Sequence, residues 1–340
     1  MRKIFNINDN WSFIKEDISD AFAKEFNTSS WESVNVPHTW NALDGAAGNE
    51  FFRGACWYRK NLTIDKLYEG KKIYIEFGAI NSISNVYVNG VHLGEHRGGY
   101  SIIRYDITEL VNFGGENTIA VKADNTAVED VYPLMADFTF YGGIYRDVNI
   151  VVTEDVHFDL MNKGSQGVFI SQDEITDELA KITVRANVTN ENEEKEAVRV
   201  VATVLDAKGN VVTYNAKDVV VEGTTEVILP ITVENPILWN SVENPYLYNV
   251  QVTVERHNDM LDELNIATGL RYFHFDPKEG FFLNGKHLKL KGVSRHQDKK
   301  DKGWALNKED HDLDMQLIKE VGANSIRLAH YQHDQYFYDL

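Results

Sequence analysis

The chain has a single cysteine, Cys56, among 340 residues. No disulfide framework is possible within it, so a reducing compartment is permitted. Cys56 lies between aromatic residues in RGACWYRK and reads as a small buried hydrophobe rather than a nucleophile. Long apolar runs are missing too, and none approaches the ~20 residues that cross a bilayer as a helix. The opening MRKIFNINDNWSF has no apolar core of about 7–15 residues, the mark of a signal peptide. The expectation is a cytoplasmic protein. Positive charge is in deficit, with 34 Lys and Arg against 52 Asp and Glu and a net charge of −18. This speaks against nucleic acid and membrane as partners and leaves neutral ligands such as sugars open. Low-complexity tracts are absent, and 43% hydrophobic with 25% charged residues is the balance of a folded globular chain.

Several chemical signatures are missing as well. EHRGGYS and FYGGIYRDV do not follow a strand and open a helix, so no phosphate-binding loop is read. No Cys/His spacing suggests a zinc site. His330 and His333 stand three apart but straddle a strand end, which argues against a metal there. Nothing resembles a nucleophile elbow or a Ser-His-Asp set.

What is present is β structure. Over roughly the first 270 residues, short Val/Ile/Tyr/Phe runs alternate with polar residues, and helical periodicity is nearly absent. KKIYIEFGAI (71–80) and NVYVNGVHLG (85–94) are examples, and Asn89-Gly90 between alternating runs is a strong hairpin signal. These runs, with those at 117–125 and 146–155, predict a β-sandwich of roughly 150 residues. From about residue 155 a second block follows. Runs at 181–190, 197–212, 216–234 and 246–256 have period two, and about seven strands in roughly 110 residues predict an immunoglobulin-like sandwich.

After about residue 275 the pattern changes. GFFLNGKHLKLKGV (280–293) holds another Asn-Gly hairpin, and NKEDHDLDMQLIKEVG (307–322) predicts a helix. Asn307 is a fitting N-cap, Glu309 and Asp310 place acid in the first turn, and Gly322 suits the C′ position. Leu313, Leu317 and Val321 predict an apolar stripe. An apolar strand follows at 324–330, giving a βαβ unit with parallel strands. One such unit cannot cover both faces of its strands, and a (β/α)8 barrel needs roughly 250 residues. The expectation is a barrel that has only begun.

Two histidines occupy equivalent places in that unit: His296 after the first strand and His330 at the end of the second. Functional residues in parallel α/β folds gather at the C-terminal strand ends, and neighbouring strands lie about 4.8 Å apart. Either each histidine is structural or the two line one pocket, and their matched placement favours the pocket. Arg327 within the second strand calls for a partner, either a structural carboxylate or one in a site. Trp31, Trp40, Phe51, Phe52, Trp57, Tyr100, Phe138, Phe140 and Tyr141 fall near loops. Core packing is their default role, with sugar stacking second.

The order of sandwich, immunoglobulin-like domain and barrel start resembles glycoside hydrolase family 2, the β-galactosidase and β-glucuronidase family. WYRKNLTI, VYVNGVHLGEHRGGYS and FYGGIYRDV resemble its sugar-binding domain; PILWNSVENPYLY and GLRYFHFD resemble its middle domain. GFFLNGKHLKLKGVSRHQD and NSIRLAHYQHDQYFYDL resemble the opening of its TIM barrel. The likeness implies domains at 1–154, 155–274 and 275–340, the last incomplete. By match to family motifs it implies substrate contacts from Asp137, His296 and His330, Arg327 near the nucleophile, and Asn49 from a first-domain loop. Gln332, Leu328, Ser294 and Gln297 depart from the usual residues. The family's two catalytic glutamates lie on later strands without counterparts here, so no residue of this chain is assigned a catalytic role. The implied activity is retaining hydrolysis of terminal β-galactosides, with β-glucuronides as the alternative, and residues 1–340 alone are expected to be inactive. The implied partner is a β-linked sugar, with homo-oligomerisation expected. No cofactor is called for, while a divalent or monovalent metal stays open for the complete enzyme. A non-catalytic sugar-binding module is the competing reading, and the half-built parallel sheet argues against it.

Overall fold

The computed structural model describes residues 1–44 and 50–340. The chain divides into two compact units. One comprises Ile4–Val152, Ser294–Val321 and Ile326–Leu340; the other comprises Met1–Lys3, Thr153–Val293 and Gly322–Ser325.

The first unit is built on a two-sheet sandwich. One sheet has four strands in the order Lys3–Asn6, Val148–Thr153, Lys72–Phe77, Ile103–Asp106. The other has six, in the order Glu32–Val34, Trp11–Ile14, Ala55–Thr63, Glu116–Asp124, Ile83–Val88, Val91–Arg97. Tyr58 opposes Val121 and Val86 opposes Val121 from the other side, so the inward residues of adjacent strands meet in one core with Phe13, Ile75 and Phe77. Each such side chain gains about 1.5–3 kcal/mol from burial. Ala55–Thr63 is buried on both faces at its start. Cys56 and Tyr58 point into the sandwich, whereas Trp57 packs with Ala21, Phe22 and Trp31 on the opposite face. Burial pushes the Cys56 thiol well above its ordinary pKa, which suits a packing residue. The Asn89-Gly90 hairpin forms as expected between Ile83–Val88 and Val91–Arg97. Both turn residues have positive φ, 51° and 84°, as a type I′ turn requires.

The second unit holds a sandwich of two four-stranded sheets. Leu179–Asn190 pairs with Gly223–Glu234 so that Ile182 faces Ile231 and Val184 faces Leu229. In the other sheet, Glu196–Leu205 pairs with Tyr248–Arg256, and Val200 faces Val254 while Ala202 faces Val252. The period-two pattern therefore buries one face of each sheet against the other. The run 197–212 is broken at Asp206, whose carboxylate accepts from the N–H groups of Lys208 and Asn210 and turns the chain at Gly209. Arg2 forms a buried ion pair with Asp262, which also accepts from the N–H of Phe158.

Near the C-terminus, the strands Gly292–Arg295 and Ser325–Leu328 form a two-stranded sheet, with the helix α1, Lys308–Glu320, between them in sequence. A short helix α2 spans Gln335–Asp339. Asn324 N–H donates to Lys291 O (3.0 Å) and Ala329 N–H to Arg295 O (2.9 Å), so the strands run parallel. Asn307 caps α1 in a capping box with Asp310, and Gly322 adopts φ 73° just beyond the helix.

Two expectations need correction. Leu313, Leu317 and Val321 are 43, 49 and 72% exposed, while Asp310 and His311 are the buried residues of α1. Within this chain the covered face of the helix is the polar one, where Arg295 reaches Asp314 and Lys299 and Lys302 reach Asp310. The second strand also ends at Leu328 rather than at residue 330. The carbonyl of Ala329 is taken by the His333 ring (3.3 Å) instead of continuing the ladder.

Candidate active site

The site is assembled in the first unit, where the chain leaves the two parallel strands. His296 directly follows Arg295, the last residue of one strand, and His330 lies two residues beyond Leu328, the end of the other. Their rings meet edge to face with centroids 5.1 Å apart. Phe138 packs against both, 5.5 Å from His296 and 6.0 Å from His330. Nδ1 of His296 is buried and has no hydrogen-bond partner among the described residues.

Phe138 is held in place by its own segment. In FYGGIYRDV, a Cβ on Gly142 would lie 2.0 Å from the Trp40 ring, and one on Gly143, at φ 129°, would lie 2.5 Å from the carbonyl of His38. Only glycine permits this approach. Behind the histidines stands an aromatic wall. Trp304 is fully buried against Tyr100, Tyr145 and Tyr331, and Tyr100 stacks on Tyr331 at 5.0 Å. Burial raises the pKa of Tyr331 and Tyr100, so both phenols stay protonated. The Tyr331 hydroxyl accepts from the N–H of Gln297, and Gln297 Oε1 accepts from the N–H of Asp334. Gln297 thus ties the two strand exits together as a neutral group. Arg146 donates to the carbonyls of Tyr100 (3.0 Å) and Gln332 (2.6 Å), a role that does not depend on the side chain at 332.

Below the pair lies a charged cluster that sequence reasoning missed. The Arg295 guanidinium donates to Asp314 through Nε (2.8 Å), to His333 Nδ1 (3.0 Å) and to His311 Nδ1 (3.1 Å). It lies 3.8 Å from the Phe337 ring centroid. A guanidinium only donates, so both facing ring nitrogens act as acceptors and both imidazoles are neutral. Burial lowers the pKa of His333 to about 4 and also lowers that of His311, in each case assisted by the Arg295 charge. The available signals were an arginine inside an apolar strand and His333 three residues beyond His330. Neither identifies its partners, which are distant in sequence.

The remaining expected residues fall as follows. Asp137 is exposed, immediately before Phe138. Arg327 is exposed on its strand, not buried in a pair. Asn49 lies outside the described residues. Among the described residues no three His, Cys, Asp or Glu side chains converge as a metal site, and no helix is long and apolar enough to cross a membrane.

Chemically, the pair offers imidazole nitrogens beside an aromatic ring. A neutral imidazole carries one donor and one acceptor, which complements hydroxyl groups, and an aromatic ring complements the apolar face of a pyranose.

Comparison with known proteins is consistent along the chain. Residues 5–154 match the family model described as glycosyl hydrolases family 2, sugar binding domain. Residues 166–271 match the one described as glycosyl hydrolases family 2, and residues 277–340 match its TIM barrel domain. A β-glucuronidase of Bacteroides fragilis is 38% identical over 337 residues, covering 98% of this chain and 47% of that protein. A β-galactosidase of Thermoanaerobacter pseudethanolicus is 33% identical over 343 residues, covering 99% of this chain and 45% of that protein. The crystal structure of Bacteroides uniformis β-glucuronidase superposes with a TM-score of 0.95 at 38% identity, covering 100% of this chain and 41% of that one. The chain thus spans slightly under half the length of these curated relatives.

Proposed function

This chain belongs to family 2 of the glycosyl hydrolases, and we propose on that footing that the whole protein carrying it hydrolyses terminal β-glycosides with retention of configuration. The observation that carries this reading is the His296–His330 pair against Phe138 at the exits of two parallel strands. In the proposed complex, the two imidazoles hold sugar hydroxyls and Phe138 forms one wall. Asp137 and Arg327 reach the sugar from the rim. A carboxylic acid and a carboxylate about 5–5.5 Å apart, supplied by the remainder of the barrel, perform the displacement. The residues of this chain contribute binding that strengthens in the transition state and orientation of the reacting bond.

Among sugars, a β-glucuronide is the first reading, because the B. fragilis and B. uniformis relatives bear that name at 38% identity. A β-galactoside is the second, favoured by the name of the T. pseudethanolicus relative at 33%. The test uses the whole protein with p-nitrophenyl β-D-glucuronide and β-D-galactoside, following the first-formed sugar by proton NMR. Turnover of at least one substrate with release of the β-anomer is expected. Release of the α-anomer, or turnover of neither substrate, overturns the proposal.

A further inference from the structure

The residues immediately before the two site histidines are tied to each other twice. Ala329 N–H donates to Arg295 O at 2.9 Å, a direct backbone link. The second link runs through the His333 ring. Its Nδ1 accepts from the Arg295 guanidinium at 3.0 Å, and its Nε2 donates to the Ala329 carbonyl at 3.3 Å. The ring therefore spans from the side chain that precedes His296 to the carbonyl that precedes His330. We propose that Arg295 and His333, braced by His311, are positioning residues that set the mutual placement of His296 and His330. This inference rests on the functional reading above for what the pair then binds.

The geometry of Arg295 leaves it little freedom. Nε and a terminal nitrogen fork onto Asp314, the other terminal nitrogen reaches His333, and His311 accepts from the nitrogen shared with Asp314. Phe337 covers a face of the guanidinium. Three segments meet there: the first strand, α1 through His311 and Asp314, and the C-terminal segment through His333 before α2 and Phe337 within it. Lysine cannot replace this arrangement, since a single ammonium lacks the planar fork. Asparagine at 333 is different, because its amide oxygen falls close to the place of the imidazole Nδ1 and still accepts from Arg295, while nothing in it reaches the Ala329 carbonyl as Nε2 does. The groups facing the two buried rings are Arg295, Arg146, Asp310, Asp314 and Asp334. None of them substitutes for the link to Ala329.

The test is made on the whole protein with the substrate it turns over. His333→Phe and Arg295→Lys are expected to lower kcat/KM about tenfold to a hundredfold, mainly through kcat. His333→Asn keeps the acceptor for Arg295 but not the link to Ala329, and is expected to fall between wild type and His333→Phe. A generally weakened fold would instead lower the amount of active enzyme and leave kcat per active site unchanged. Wild-type activity in His333→Phe or in His333→Asn overturns the proposal. A second readout needs no turnover: in 15N-histidine spectra, His333 and His311 are expected to show bare Nδ1 and protonated Nε2 at neutral pH. A proton on Nδ1 of His333 overturns the relay even if the enzyme is active. If the wild type turns over neither glycoside, the functional reading fails, and the spectra still decide the relay.

Discussion

At the scale of single residues, paired charges recur where the chain buries an ion. Arg2 and Asp262 have side chains only 5 and 1% exposed, joined at 2.7 Å. Such a pair contributes little over an apolar replacement, but breaking it leaves a buried charge without its counter-ion. Asp262→Ala is expected to cost about 3–5 kcal/mol, seen as a clear fall in melting temperature. An unchanged melting temperature would show that the Arg2 guanidinium escapes to water. Residue chemistry was only partly legible in the sequence. His296 and His330 could be singled out because strand ends in parallel folds are predictable positions. Arg295 and Arg327 occupy similar settings in the sequence, yet one is the buried hub of a network and the other is exposed. Arg295 is paired because α1 brings Asp314 to it, which local pattern does not encode.

At the scale of elements, α1 shows which signals are local. Asn307 and Gly322 were readable as its ends because caps satisfy backbone groups within one turn. Its buried face was not readable. Periodicity marks the leucine stripe, but the face covered within this chain is the one where Asp310 is buried with Lys299 and Lys302 on its two oxygens. Burial pushes the Asp310 carboxyl up, but both ammonium groups and the Asn307 N–H outweigh it and hold the pKa at about 2, against an ordinary 3.8. In the unfolded chain this group takes up a proton as pH falls through about 4; in the folded chain it does so only near 2. The stability it contributes is therefore present above pH 4 and lost between about 4 and 2. Asp310→Asn is expected to lower the melting temperature at pH 7 and to make its decline between pH 4 and 2 shallower than in the wild type. An identical decline would place the acid sensitivity in other carboxylates.

At the scale of the whole chain, the β architecture was legible because two-residue alternation and Asn-Gly turns report directly on half-buried antiparallel strands. The site was legible only in its histidines. Phe138 reaches them from a segment more than 150 residues earlier in the chain, and the aromatic wall around Trp304 gathers residues from both ends of the sequence. Contacts of that separation follow from topology, not from any window of sequence. The central claim is that the paired histidines hold the sugar in a glycosidase site. Its most direct test is kcat/KM of the whole protein for its p-nitrophenyl β-glycoside, compared with His296→Ala and His330→Ala. Each substitution is predicted to lower kcat/KM by about a hundredfold or more, with the melting temperature little changed. Variants that retain wild-type kcat/KM would contradict the assignment and return both histidines to a structural role.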